Sequence, residues 1–434
     1  MARNDPLMRP PRCEARPDVV IVGASARACA ESASRAGWAV HAADLFGDVD
    51  LRRSAVSALQ VLGAGATGYP AGLPAAIAGF PPGPCIYTGG LENHPELIEA
   101  VASDRPLAGN AADVVRAVRD PEQLAAAVRA VGAEFPETHA TADGVPLDGS
   151  FVVKPVASAG GRGIRRWRGR SASVCGRPLR WQRLVAGESW SAAFVADGRT
   201  SRLLATSLQL TGRRWCGARS FAYCGSIDRP LAQIHDGLHA RLERLGAMLS
   251  ATFGLVGLVG IDFILDERHV LHVIEVNPRP TASMELHERG TGTPLARLHL
   301  EACGFTSPRP LPAAAPAAID ATSIWSKAIV FASRTAARFA PPTDMIEDLA
   351  ASWTTADGAA AVADIPRPGQ PLPAGGPLVT VFARGDTAAR SLTVLRRRVA
   401  TVRRLFAAAA TTGEISPRGD GAWPRRGRPR GNTA

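Results

Sequence analysis

The sequence predicts a mixed fold: α/β in its opening, α+β through its centre, and a small module of mixed α and β near its C-terminal end. Three observations lead there. The chain opens on an apolar strand, a glycine turn, a helix pattern and a second strand. Its centre holds an apolar run that ends in a lysine and passes into a glycine-rich loop. Further on, two apolar strands separated by a short polar turn carry carboxylates in their interiors.

Asp18–Gly23 (DVVIVG) is a β-branched run, the pattern of a strand buried on both faces. A helix pattern over 24–36 and a strand over 40–44, ending in Asp44, complete a Rossmann-like opening. The turn Gly23-Ala24-Ser25-Ala26-Arg27-Ala28 has one glycine where a dinucleotide fingerprint needs three, so NAD is not expected. Residues 86–90 read as another strand that runs into a loop, with Glu92 and Asn93 at its lip, where ligands bind in open α/β sheets. A helical stretch over 113–131 breaks near Pro121. Strands are expected over 183–197, interrupted by a Gly-Glu corner, and over 202–210; an amphipathic helix follows over 232–250. His235 and His239 stand at i, i+4 on that helix, but without a third ligand nearby they read as a solvated face. Beyond Pro308 the chain turns Ala- and Pro-rich. Strands return at 328–331 and 378–382, and a terminal helix over 387–409 has Asp386 placed to cap it.

Only two lysines, Lys154 and Lys327, occur among the 50 basic residues. Where a plain positive charge suffices this chain uses arginine, so the lysines are candidates for work that a compact ammonium does better than a wide guanidinium. Lys154 ends the apolar run Phe151-Val152-Val153 and precedes Ser158-Ala159-Gly160-Gly161-Arg162-Gly163. No acid occurs between Lys154 and Glu188, whereas arginines crowd the stretch. A glycine-rich loop in such a field suits a polyphosphate; a solvated arginine face is the plainer alternative.

The carboxylate-bearing pair reads as an antiparallel hairpin over 258–265 and 270–276. Alternation puts Glu275 and Asn277 on one face, with Asp262 roughly across from Glu275. Two carboxylates and an amide oxygen between apolar strands form a hard-oxygen site suited to Mg²⁺. An exposed strand face, or a salt bridge to Arg279, is the other use for such residues.

The lysine and its loop, the Gly-Glu corner, and D…E-x-N-x-R on a hairpin together resemble the ATP-grasp family over roughly residues 18–305. That resemblance implies a Rossmann-like pre-ATP-grasp domain (18–105) and a two-lobed ATP-grasp domain (106–305) with ATP between the lobes. Residues 364–377 are similar to the small closing domain of biotin-carboxylase-like and purine-type members, here 306–410. Lys154 then matches the phosphate lysine, and Ser158, Gly160, Gly161 and Gly163 the loop that closes over the phosphates. Gln182, Arg183 and Val185 match the segment beside adenine, and Glu188 the carboxylate near the ribose. Asp262, Glu275 and Asn277 match the ligands of Mg²⁺ or Mn²⁺, and Arg279 a residue that steadies the phosphoryl group or an acyl phosphate. Two departures stand out. A further upstream lysine is replaced by Arg116 or Arg119, and a hinge position often held by Glu is Gln182. Lys327 falls in the closing module, where a structural or surface role is expected.

The implied chemistry is ATP-dependent, ADP-forming ligation of a carboxylate to an amine, with Lys154 and Arg279 as the catalytic side chains. Glu92, Asn93, Glu285, His287 and Glu288 are candidates for contact with substrate. Asn277-Pro278-Arg279-Pro280-Thr281-Ala282-Ser283-Met284-Glu285, with 44–48 and 89–93, looks closest to a branch containing tyramine–glutamate ligases of one-carbon cofactor synthesis. The rival readings are a biotin-carboxylase-like or purine-pathway carboxylation, and a regulatory protein that binds nucleotide without turnover.

Composition limits the rest. Hydrophobic residues at 46% with 21% charged are those of a soluble globular protein, and no apolar run reaches the length of a membrane span. Seven cysteines without a C-x-x-C pair read as reduced thiols in a cytoplasm. Of the net charge of +11, +8 lies in residues 396–434, and a Gly-, Pro- and Arg-rich tail (411–434) is expected to be disordered, as is a tail over 1–17. Weak contact with nucleic acid through the C-terminal tail is the most that this charge suggests. Small-molecule substrates are the expected partners, and a homodimer is compatible with them.

Overall fold

A computed structural model of the chain describes residues 16–63, 65–169, 178–229, 234, 236–308, 323–333, 343–353 and 360–412. Both expected tails lie almost wholly outside these residues, as does His235.

The opening is a parallel sheet. In chain order it comprises β1 (Asp18–Gly23), α1 (Arg27–Arg35), β2 (Ala39–Asp44), α2 (Val49–Ser54), β3 (Ser57–Gln60), α3 (Leu73–Ile77), β4 (Cys85–Tyr87), α4 (Pro95–Asp104) and β5 (Leu107–Ala108). The strand order β3-β2-β1-β4-β5 puts the most apolar strand at the centre. Val19, Val20, Ile21 and Val22 are all fully buried, with alternate residues feeding two cores on opposite faces of the sheet. Asp44, the acid at the end of β2, accepts hydrogen bonds from the backbone N–H groups of Ala26 (3.0 Å) and Gly47 (2.6 Å). It holds the start of α1 in place of a side chain at the cap itself, where Ala26 offers none.

Two short helices follow, α5 (Ala112–Val118) and α6 (Pro121–Arg129). The break falls at Pro121 as expected, and Asp120 caps α6 by accepting from the N–H groups of Glu122 and Gln123. A small antiparallel sheet comes next: β6 (Thr138–His139), β7 (Phe151–Pro155), β8 (Arg165–Arg166) and β9 (Leu179–Arg183), in the order β6-β9-β7-β8. Its core is Val145, Phe151, Val153, Trp167 and Trp181.

The rest of the chain builds an eight-stranded antiparallel sheet, ordered β14-β13-β10-β11-β12-β15-β17-β16. Its parts are β10 (Glu188–Asp197), β11 (Ser201–Thr211), β12 (Tyr223–Arg229), α7 (Asp236–Phe253), β13 (Val256–Leu265), β14 (Leu271–Asn277), α8 (Met284–Thr291), α9 (Leu295–Ala302), β15 (Ile324–Phe331), α10 (Thr343–Trp353), β16 (Val362–Ala363), β17 (Pro377–Gly385) and α11 (Ala388–Thr412). α6 and α7 cover one face through a core that includes Trp190, Phe194, Leu242, Leu245, Leu249 and Phe263. The hairpin expected from the sequence is β13–β14, with Asp262 directly opposite Glu275.

Two features differ from expectation. The C-terminal segment is mixed α and β, but it is not set apart at residue 306: β15 pairs with β12 and carries β17 and β16 into the same sheet. The start of α11 is also capped differently. Thr387 Oγ1 accepts from Arg390 N (3.2 Å), while Asp386 pairs with the Arg390 side chain.

Candidate active site

Lys154 lies on β7 directly opposite Arg180 of β9, with Gln182 two residues further along the same face. Its ammonium donates to Gln182 Oε1 at 2.8 Å, and Gln182 Nε2 donates to Thr138 Oγ1. Burial pushes the ammonium's pKa below the usual lysine range; the charges of Arg180 and Arg119 push the same way, and that of Glu275 opposes them. The influence of Glu275 is informative. It stands on the large sheet and Lys154 on the small one, so the charge of the acidic hairpin reaches the lysine from the other sheet.

The glycine-rich loop follows β7. Gly160, Gly161 and Gly163 all have positive φ, of 60°, 74° and 80°. The loop rests against the turn before β12: Tyr223 N donates to Gly160 O at 3.0 Å, and a Cβ at position 161 would stand 1.8 Å from Phe221 O. Ser158 closes the near end by donating to Pro155 O (3.2 Å). Asn93, at the lip of the parallel sheet, donates to Ser158 O (3.3 Å) and accepts from Arg119 (2.9 Å), which also reaches Val156 O. Arg119 thus occupies the position beside Lys154 and the loop. Arg116, the other candidate, is exposed and paired with Glu99.

On the hairpin, Asp262 accepts from Gln209 Nε2 (2.8 Å) and Asn277 Nδ2 (3.1 Å). Burial and the nearby Glu275 charge push its carboxyl up to about 7. Two carboxylates and an amide held this closely are a donor set that a hard divalent cation would satisfy, since its charge relieves the repulsion that raises Asp262. Asp262, Glu275 and Asn277 therefore fit the role that the sequence predicts for them. Among the described residues no three His, Cys, Asp or Glu side chains form a metal cage. Asp262, Ser191, Ser207 and Asp228 lie opposite one another in sequence across β13, β10, β11 and β12, a polar row across one face of the sheet.

Arg279 follows the hairpin. Its guanidinium donates to Asn277 Oδ1 (3.1 Å) and Pro280 O (3.1 Å) and forms a buried ion pair with Glu92. Burial alone would raise the Glu92 pKa, but the charge and hydrogen bond of Arg279 prevail and hold it below the usual carboxylate range. Glu92 is thus a partner that fixes Arg279, and a poor proton acceptor.

The other predicted residues are placed as follows. Gln182 is buried and bonded to Lys154; Val185 is half-buried in the segment after β9. Arg183 points from the opposite face of β9, exposed, where it lies over the Phe151 ring and pairs with Glu137. Glu188 is exposed at the start of β10, on the face of Trp190 and away from Asp262. Glu285 is consumed by a buried network with Arg27, Lys327 (3.1 Å) and Arg289 (3.4 Å), which holds its carboxyl well below the usual range despite burial. Lys327, 3% exposed, is structural in this sense. Glu288 binds Arg35 and the N–H of Leu295. Burial and the Arg202 charge push His287 down to about 4. Glu285 and Glu288 are therefore held by partners other than the group around Lys154. Sequence reading missed Gln209, Arg180 and Thr138, whose only signal is the strand register that aims them inward. A cavity of about 490 Å³ among α5, α6 and the end of α7 lies apart from the site.

A model of the ATP-grasp domain matches residues 118–283. The L-amino acid ligase from Bacillus licheniformis superposes with a TM-score of 0.63 at 14% identity, over 88% of this chain and 97% of that one. Carboxyaminoimidazole ribonucleotide synthase from Aspergillus clavatus, complexed with ATP, gives 0.64 at 16%, over 90% and 99%. The biotin carboxylase domain of the Hydrogenobacter thermophilus 2-oxoglutarate carboxylase, solved with MgADP and bicarbonate, gives 0.63 at 12%, over 88% and 89%. At these identities the likeness is one of fold. No curated protein matches the chain in sequence. Among the described residues no helix is long and apolar enough to cross a membrane.

Proposed function

A model of the ATP-grasp domain matches residues 118–283 of this chain, and on that footing we propose that the protein is an ADP-forming ligase that joins a carboxylate to an amine. The observation that carries the reading is the convergence of Lys154 and its glycine loop, from one sheet, with Asp262, Glu275, Asn277 and Arg279, from another. ATP would lie between them, its phosphates under the loop.

Asp262, Glu275 and Asn277 would hold Mg²⁺, which when bound offsets charge on the phosphoryl oxygens. The chain's own groups do the positioning. Backbone N–H groups of 158–163 and the Lys154 ammonium take phosphate oxygens. A donor carboxylate oxygen attacks the γ-phosphorus, the bond to the β,γ-bridging oxygen breaks, and ADP leaves. Arg279, locked by Glu92 and Asn277, steadies the acyl phosphate. The amine nitrogen then adds to the acyl carbon, the bond from that carbon to the phosphate oxygen breaks, phosphate leaves, and the nitrogen's proton passes to solvent. Asn93 and Arg119 tie the loop to the parallel sheet and so help to keep water from the intermediate.

For the substrates we propose an amino acid as donor and a small amine or amino acid as acceptor. The nearest support is the fold shared with an L-amino acid ligase. The motif that suggests the tyramine–glutamate pair supports it only as far as Arg279, since its last residue, Glu285, is committed to Arg27 and Lys327.

The hairpin variants test this. Glu275→Gln and Asn277→Ala should fold, Asn277→Ala with a lower melting temperature because Asp262 and Arg279 each lose a hydrogen bond, and should lose Mg·ATP-dependent ADP release by on the order of a hundredfold. Full activity in both would make the hairpin structural and end the reading.

A further inference from the structure

Beside Arg279 a second polar group stands buried. Among the described residues the Tyr69 hydroxyl has no hydrogen-bond partner, and neither does Arg279 Nε. The Tyr69 hydroxyl and the Arg279 guanidinium border one dipeptide, Gly89–Gly90, at the carboxyl end of the parallel sheet. The Arg279 guanidinium lies across Gly89, with Cζ, Nη2 and Nη1 at 3.4, 3.5 and 3.7 Å from where a Cβ would stand. Gly90 has φ +106°, and a Cβ there would meet the Tyr69 hydroxyl at 2.4 Å. Only glycine at position 90 leaves the hydroxyl its place.

The hydrogen-bond inventory says what is missing. A guanidinium has five N–H donors. Three of the five on Arg279 reach Glu92, Asn277 and Pro280 through Nη2 and Nη1, and Nε–H has no acceptor among the described residues. The Tyr69 phenol is pushed above its usual range by burial and by the charges of Glu92 and Asp44, so it stays a neutral O–H. Two buried donors against one turn, one of them on Arg279 of the candidate active site, suit an acceptor with two oxygens. Glu92 already offsets the arginine's charge, so the pair selects by direction rather than by net attraction, which suits a small planar anion.

Resting on the ligase reading above, we infer that Tyr69 Oη and Arg279 Nε together cradle the donor carboxylate over Gly89–Gly90, with one oxygen on each, and present it to the γ-phosphate. The ligand class is a free carboxylate, and Tyr69 is a substrate-binding residue outside the ATP-grasp domain itself.

The test is binding, separate from turnover. The proteinogenic amino acids, acetate and bicarbonate are added one at a time to the full chain with Mg·ADP, and the shift in melting temperature is titrated for wild type and Tyr69→Phe. The cradle predicts that at least one carboxylate stabilises the wild type, and that Tyr69→Phe weakens its apparent affinity by about 10- to 100-fold while the stabilisation by Mg·ADP alone is unchanged. Equal carboxylate affinity in the variant overturns the cradle, and so does a wild type that no carboxylate stabilises. Should Tyr69→Phe fail to fold, a crystal of the wild-type chain with Mg·ADP and acetate decides: acetate within hydrogen-bond distance of both atoms is expected, and acetate bound elsewhere overturns the cradle. Failure of the ligase reading looks different, namely carboxylate binding that depends on Tyr69 with no ADP release when an amine is added.

Discussion

At Lys154 a thin ammonium bonds to Gln182 and feels the charges of Glu275, Arg180 and Arg119. A guanidinium there would be wider and would add a third arginine fork to two already present. Lys154→Arg is expected to cut ADP release by about 10²–10³-fold, the cost of removing one preorganised donor, with the fold retained; steady-state turnover and far-UV circular dichroism check both halves. At this scale the sequence was legible where a residue was chemically out of place, as a lysine among arginines is, or a pair of acids between apolar strands. It misled where a carboxylate had a distant partner. Glu92 and Glu285 look free in the sequence, but each is taken by an arginine 187 and 258 positions away, Arg279 and Arg27. A buried ion pair of that kind leaves no local pattern.

Elements with a continuous apolar run or clean alternation were readable: β1, β2, β7, β13 and β14 fall where the pattern put them. β12 was not, because Tyr223-Cys224-Gly225-Ser226-Ile227-Asp228-Arg229 carries polar residues on the face that continues the row from Asp262. The alternation is hidden by the polarity of a site-facing surface. The phosphate loop shows the same coupling between elements, since its shape depends on the turn before β12. At Gly161 an alanine would take a left-handed conformation that costs an L-residue about 1–2 kcal/mol and would drive its Cβ into Phe221 O, 1.8 Å away. Gly161→Ala should therefore raise the KM for ATP by about tenfold, which corresponds to that cost, with little change in melting temperature. An unaltered KM would mean that the loop does not need to rest on that turn to bind phosphate.

Over the whole molecule the parallel sheet and the large sheet meet through charge. Arg27 of α1 binds Glu285 of α8 and Asp364 of the C-terminal segment, and Glu285 in turn holds Lys327 of β15. The order of the α/β opening, the α+β centre and the mixed C-terminal segment was visible in composition and periodicity. The continuity of β12 with β15 was not, because the Ala- and Pro-rich stretch between them reads as a domain boundary and hydrogen bonds between strands distant in sequence leave no mark in either. What the assembled molecule can do comes down to where the phosphate chain of ATP is cut. The most direct measurement is nucleotide and product analysis with paired amino acids and amines, by chromatography and mass spectrometry. Cleavage at the γ-phosphate predicts ADP, phosphate and amide in equal amounts, and only when both substrates are present. AMP with pyrophosphate, or ADP released with bicarbonate and no amine, would contradict it.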